Sequence, residues 1–303
     1  MNRPTHPSSF MDLPAYLTTR TTLIDRALDR FLPRASVKPK TIHKAMRYSL
    51  FAGGKRLRPV LTLAAAEACG GTVSAATPAA CAVECIHPYS LIHDDLPCMD
   101  DDDLRRGRPT SHKVFGEGVA VLAGDALLTV AFAILAQAAP TPRYSTAALI
   151  GELASASGSQ WLIGGQVADL EGEGQKLSGA ALQYIHRCKT AALLTASIRL
   201  GAMSAHATPA RLAALTAFGQ ALGLAFQVID DILDVTQTTE KLGKTAGKDV
   251  AATKATYPAI FGLARSRREA HRLTAAAHAA LKPFGKNAAT LRALADYLLA
   301  RDY

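Results

Sequence analysis

The 303-residue chain is poor in aromatic residues and cysteine and lacks strand-and-turn signals. Aromatic side chains make up 6%, with one tryptophan, which leaves little from which to build the stacking platforms of RNA-binding or single-strand-binding modules. Alternating runs closed by Asn-Gly or Asp-Gly are missing, which argues against hairpins. The five cysteines (Cys69, Cys81, Cys85, Cys98 and Cys188) are odd in number and lack CxxC spacing. A zinc ribbon and a disulfide framework are thereby excluded, and the thiols read as small core hydrophobes of a reducing, cytoplasmic compartment. No stretch approaches roughly 18 uninterrupted apolar residues, and "MNRPTHPSSFMDLPAYL" has no apolar run behind its first arginine. Neither a membrane span nor an export signal is expected.

What is present is an apolar chain with concentrated charge. Hydrophobic residues make up 49% and charged ones 19%, and the length suffices to bury most of the apolar surface. A net charge of +9 permits a nucleic-acid partner, but the basic residues are dispersed and no binding motif accompanies them. A small anionic substrate accounts for the same charge, while runs such as "RSRRE" at 265–269 read as a solvated face. Apolar residues recur every three or four positions, the period of helices packed on one side. Thr77-Pro78, Thr141-Pro142 and Thr208-Pro209 each suggest a capping hydroxyl before a first-turn proline. Helices are expected near 14–32, 39–52, 58–69, 78–96, 117–138, 142–168, 179–205, 209–235, 254–281 and 287–301. The fold class is therefore all-α, with residues 1–13 as a flexible N-terminal segment and 14–303 as one domain, since no linker or low-complexity tract divides it.

Acid is distributed unevenly over these helices. Asp94, Asp95, Asp100, Asp101, Asp102, Asp103, Asp230, Asp231 and Asp234 are nine of the 25 acidic residues, and all fall in "DDLPCMDDDD" or "DDILD". Two solvated helix ends would need no ligand, yet each cluster closes an apolar helix, where an unpaired carboxylate costs several kcal/mol or neutralises. Carboxylates crowded in this way are stable when they share a divalent cation, and an oxygen-only donor set points to magnesium.

On a helix, Gly223, Gln227, Asp230 and Asp234 form one stripe of small and polar groups, with Leu222, Phe226, Ile229 and Leu233 beside it. Asp94 and Asp100 are six apart, about 120° out of phase. Pro97 cannot donate to the carbonyl of His93, so the helix should kink or end there and bring both carboxylates round to a common ion. Arg105 and Arg106 follow at once, and guanidinium forks suit phosphate oxygens. "GGKRLRP" at 53–59 sets two glycines and three cations at a helix start, a favourable anion site, although it is not the GxxxxGK[ST] of a P-loop. Aspartates and arginines in one segment imply a magnesium-bound diphosphate.

These segments, together with "AGDALLT", "GGQVADL", "KT" at 189–190, "FQVIDDILD" and "LGKTAGKDVAATKATYP", resemble the trans-isoprenyl diphosphate synthase family, most closely the bacterial farnesyl diphosphate synthases. The resemblance spans roughly residues 43 to 262 and rests mainly on the two aspartate motifs. It implies an all-helical isoprenoid synthase fold around a deep cavity, usually a homodimer, with three magnesium ions. It assigns Asp94, Asp100 and Asp230 as metal ligands, supported by Asp95, Asp231 and Asp234. Lys55, Arg58, His87 and Arg106 would hold the diphosphate of isopentenyl diphosphate. Arg105, Lys189, Thr190, Gln227 and Lys244 would meet the allylic diphosphate and act in catalysis, with Lys248 a further candidate. An aromatic five positions before the first motif goes, in that family, with fifteen-carbon products, so Tyr89, with Ser90 beside it, is the chain-length candidate. On a regular helix Tyr89 would lie in line with Asp100 and about 16 Å deeper. His93, one turn beyond His87, reads as a histidine bonded to a backbone carbonyl.

The resemblance therefore implies condensation of isopentenyl diphosphate with dimethylallyl or geranyl diphosphate to farnesyl diphosphate. A geranylgeranyl diphosphate synthase is the near alternative. A terpene cyclase would carry an Asn/Ser/Glu-type second motif in place of "DDILD", and a non-catalytic partner subunit would have lost metal ligands.

Overall fold

The computed structural model describes residues 12–236 and 255–299, and is built almost entirely of helices. In chain order these are α1 (Leu13–Phe31), α2 (Lys40–Leu50), α3 (Leu57–Ala68), α4 (Val73–Asp94), α5 (Ser111–Phe115), α6 (Glu117–Leu135), α7 (Thr146–Ser157), α8 (Leu162–Gly172) and α9 (Gly179–Ile185). A π-helical turn, His186–Ala191, joins α9 to α10 (Ala192–Ser204), followed by α11 (Pro209–Thr236). After the undescribed interval come α12 (Tyr257–Phe261), α13 (Leu263–Ala280), a 3₁₀ segment Lys282–Ala288 and α14 (Ala289–Leu299). The all-α expectation holds.

Local chemistry moves several boundaries. α4 begins earlier than Thr77-Pro78 suggests: the Thr72 hydroxyl accepts from Ala75 N–H at 3.3 Å, while Thr77 back-bonds to the Val73 carbonyl and Pro78 and Pro88 lie inside the helix. The expected helix 142–168 is two helices. Ser145, not Thr141, caps α7 through Ala148 N–H (3.1 Å), and the chain turns out of helix at Gly158. Similarly, Thr256 caps α12 and Gly262, at φ 77°, separates it from α13. Thr208 does open α11, accepting from Arg211 N–H at 3.4 Å. One hairpin exists where none was expected: β1 (Leu104–Arg105) pairs antiparallel with β2 (Arg108–Pro109), Leu104 opposite Pro109. Arg106 and Gly107 take φ 55° and 72° at its two-residue turn, the left-handed pair that a tight hairpin needs.

Two apolar cores flank the site. One gathers α1, α2, α4, α6 and α7, with Leu28, Ile86, Leu127 and Leu153 fully buried. The other gathers α3, α10, α11, α13 and α14 around Phe218, Ile229 and Leu294. By length and composition α6 and α11 would each suffice to cross a membrane, although neither is an uninterrupted apolar run, Asp125 falling inside α6 and Asp230, Asp231 and Asp234 inside α11. α11 packs against α10 and α13, however, and carries three aspartates. α6 packs on α4 with its other side exposed, Leu122 at 58%. Cys81, Cys85 and Cys188 are core thiols as expected, but Cys98 is exposed in the turn after α4.

Candidate active site

The first aspartate cluster is arranged by the end of a helix. α4 stops at Asp94, and the chain then folds back over its own terminus: Asp100 N–H donates to the Asp94 carbonyl (2.9 Å), Asp101 to Leu96 (3.1 Å) and Asp102 to Asp95 (3.2 Å). Pro97, with no N–H to give, sits in this reversal, and Asp101 takes φ 48° to complete it. Asp94, Asp100 and Asp102 thus line one cavity of about 380 Å³. Asp100 is therefore not on the α4 helix, and the projected alignment with Tyr89 three turns away does not apply. Asp95 is buried beneath, where burial raises its pKa against the pull of Arg105, whose Nε lies 2.6 Å from Oδ1. Asp101 and Asp103 face solvent. With His112 they offer ligand atoms within 4.8 Å of one another, a set outside the cavity, but Lys113 pairs with Asp103 at 2.7 Å and holds its carboxyl below the usual range.

The opposite wall is continuous helix. Gln227, Asp230, Asp231 and Asp234 of α11 border the same cavity. Gly223, expected on this stripe, is instead buried against the π turn, where a Cβ would lie 2.7 Å from Ala191 Cα. Asp231 is fully engaged: Oδ1 accepts from Gln227 Nε2 (3.0 Å), and Oδ2 accepts Tyr257 N–H (2.8 Å) with His186 Nε2 at 3.3 Å. Gln227 Oε1 in turn accepts from the Thr190 hydroxyl at 2.9 Å.

Lys189 and Thr190 come from the π turn, which reaches the cavity because α8 passes close behind it. Gly165 has no side chain to hold α8 away from the Lys189 backbone. Lys189 Nζ lies 2.7 Å from Asp169 and 3.8 Å from Asp94; burial pulls its pKa down, but Asp94 and Asp169 hold it above the ordinary lysine value. Gln166 Nε2 donates to Asp94 Oδ1. Gln166 and Asp169 were missed as site residues although both stand in "GGQVADL". Their signal was two polar residues three apart on an otherwise apolar helix face.

A cationic cluster accompanies the carboxylates. Burial first, then Arg58, Arg106, Arg105 and Arg56, push the pKa of His87 well below its usual value, so it is neutral at pH 7. Burial also lowers Arg58 and Arg106. Arg106 donates to the Gly53 carbonyl, and Gly54 lets the guanidinium lie against the backbone, where a Cβ would stand 2.5 Å from Nη1. Arg58, His87 and Arg106 are thus brought together as expected, and the repulsion between the two guanidiniums favours an anion. Lys55 is exposed, its ammonium 5.2 Å from the Tyr297 ring centroid. Lys244 and Lys248 lie outside the described residues. Ser90 turns its hydroxyl back to the His87 carbonyl (2.8 Å), and Tyr89 is buried edge-on against His93 (5.3 Å, 86°). His93 Nε2 bonds the Val121 carbonyl at 2.9 Å, as expected.

A helical bundle that directs two aspartate clusters into one cavity, with a cluster of arginines and a neutral histidine nearby, defines a class: prenyltransferases that work on isoprenyl diphosphates. The chain belongs to the family described as polyprenyl synthetase, which matches residues 39–294. It is 52% identical over 306 aligned positions to the heterodimeric geranylgeranyl pyrophosphate synthase large subunit 1, chloroplastic, of Arabidopsis thaliana, covering 99% of this chain and 82% of that protein. Among solved structures it is similar to an FPP/GFPP synthase from Zymomonas mobilis (TM-score 0.82, 37% identity, 95% of this chain and 99% of that one). It is likewise similar to a geranyltransferase from Legionella pneumophila (TM-score 0.84, 31% identity, 96% and 98%).

Proposed function

We propose that the enzyme joins isopentenyl diphosphate head-to-tail to dimethylallyl and then geranyl diphosphate, releasing diphosphate and giving farnesyl diphosphate. The observation that carries the reaction is the pairing of one cavity lined from two walls by aspartates with a cluster of Arg58, His87 and Arg106.

The donor set suits a hard divalent cation: the carboxylates at the cavity offer only oxygen, and Lys189 and Arg105 are the cations that also border it among the described residues. Asp94 and Asp100 from one wall and Asp230 from the other would hold magnesium. Bound there, magnesium supplies Lewis-acid neutralisation of the charge that develops on a departing diphosphate. Lys189 and Arg105 grip the allylic diphosphate oxygens and stabilise the same charge. Oxygens of Thr190 and Gln227 stand near the allylic carbon as its C–O bond breaks, while Met99, Leu182 and Ile185 exclude water that would quench the cation. Arg58, neutral His87 and Arg106 orient isopentenyl diphosphate, whose alkene attacks the allylic cation to form the new C–C bond; the resulting cation then gives up a proton to the released diphosphate.

Tyr89 supports the fifteen-carbon limit: it lies five residues before Asp94, about 7.5 Å along the α4 axis, and is buried in the apolar core that α4 and α6 share. A second reading, geranylgeranyl diphosphate, is favoured by the name of the Arabidopsis relative. Incubation with magnesium, isopentenyl diphosphate and each allylic diphosphate, then phosphatase and reversed-phase chromatography, separates them. Farnesol as main product supports the first reading and geranylgeraniol the second; no elongated alcohol overturns both. We place the enzyme in the cytoplasm, as a homodimer through the exposed apolar sides of α6 and α8, where Leu122 and Val167 are open.

A further inference from the structure

A larger cavity lies outside the carboxylate site. A groove of about 670 Å³ runs over α10, between Trp161 at the start of α8 and Leu224 on α11, with Ala192 and Ala196 in its floor. Three features distinguish it from a simple gap between helices. Thr195, 8% exposed, lines it, and its hydroxyl has no hydrogen-bond partner, whereas Ser197 and Thr62 satisfy theirs on the carbonyl four residues back. At one end Arg199 is consumed by Glu152 (2.6 and 2.8 Å) and Thr216 (2.6 Å). At the other, Arg187 is exposed and has no carboxylate partner among the described residues. An apolar bed, a buried hydroxyl and one uncommitted cation at the end describe a site for a chain with a single anionic head.

The groove also shares structure with the active cavity. Arg187 and Ala191 of the π turn face the groove, while His186, Lys189 and Thr190 of the same turn face the carboxylates. A ligand held on Arg187 therefore bears directly on the segment that positions Lys189 and Thr190.

We propose that this groove binds an amphiphilic anion, an apolar chain ending in one phosphate or carboxylate, and that its occupancy alters allylic substrate binding through the π turn. Trp161 is the sole tryptophan of the chain and lies in the groove, so its fluorescence reports occupancy without any contribution from turnover. Decyl phosphate is titrated with the active cavity saturated by magnesium and inorganic diphosphate, and decanol serves as the headless control. The expected result is a saturable change in Trp161 emission that diphosphate does not displace and that decanol reproduces only weakly. Arg187→Glu should weaken it about tenfold or more, the loss of one charge-assisted contact. Leu224→Glu, which spoils the apolar bed, should weaken it as well. Decyl phosphate should also shift the allylic KM in the wild type but not in Arg187→Glu. An absent or diphosphate-competed signal, or equal affinity in both folded variants, overturns the site. An unchanged KM at saturation overturns the coupling.

Discussion

The two aspartate clusters reach one cavity by opposite means. Asp230, Asp231 and Asp234 stand on an unbroken helix, where the period alone sets them on neighbouring positions. Asp94, Asp100 and Asp102 converge because a helix ends and the backbone turns back to cap its last carbonyls. Their supports differ in the same way. Asp95 is tied to an arginine that itself borders the cavity, whereas Asp231 is tied to a backbone N–H, a glutamine and a histidine. The first cluster should therefore be coupled to substrate, and the second to the fold.

Replacing a carboxylate proposed to bind the metal should erase that difference. Asp94→Asn and Asp230→Asn each keep the shape and remove the charge, so both should lower kcat by roughly 10²–10³ or more with the thermal transition unchanged or raised by relief of repulsion. Near-normal turnover for either at low magnesium would break the equivalence of the clusters.

Replacing the supports should separate them. Asp231→Asn leaves one of its donors facing an amide N–H in a buried place, so about 1–3 kcal/mol of stability should be lost, read by denaturant unfolding. Asp95→Asn should instead release Arg105 and raise the allylic KM with kcat changed by only about 10–100-fold. If Asp95→Asn proves the more destabilising variant, the contrast between the clusters is wrong.

The arginines sharpen the comparison further. Arg105 borders the carboxylates, and Arg106, one residue on, is turned by the hairpin toward Gly53, Arg58 and His87. Lysine keeps the charge and loses the fork, so Arg105→Lys should raise the KM for the allylic substrate and Arg106→Lys that for isopentenyl diphosphate, each about tenfold. Equal shifts in both constants would show a single electrostatic patch.

Which parts were legible in the sequence follows from the range of the interactions. The helical period and the position of Pro97 depend on neighbours within a turn or two, so the all-α class, the α11 carboxylates and the end of α4 could be read directly. The π turn and the burial of Gly223 depend on α8 and α11 pressing against residues 186–191 through glycines, contacts that no local pattern encodes, whereas Gln166 and Asp169 left a local signal in their three-residue spacing. Thr77 and Thr141 misled for the reverse reason: Thr72 and Ser145 supply equally good caps where the packing wants the helices to start.

Tyr89 tests the least visible part of the comparison, what lies beneath the first cluster. It is 6% exposed, its ring packs on His93, and burial with Asp125 nearby raises its phenol pKa, so the hydroxyl stays protonated and the ring behaves as an apolar wall. It is not among the residues lining the carboxylate cavity, so any limit it sets must act by filling space in the apolar core that α4 and α6 share, into which a longer chain would press. Tyr89→Ala opens that space at a packing cost of about 3–5 kcal/mol, which two cores of this size should withstand. Turnover should stay within a few-fold because no diphosphate or metal contact is touched, while products move from fifteen carbons toward twenty or more. Tyr89→Phe separates volume from the hydroxyl: it should keep the short product if the ring is the stop. A folded, active Tyr89→Ala enzyme that still releases only farnesyl diphosphate would place the stop elsewhere, and wild-type release of the twenty-carbon product would show that the ring never closed the path.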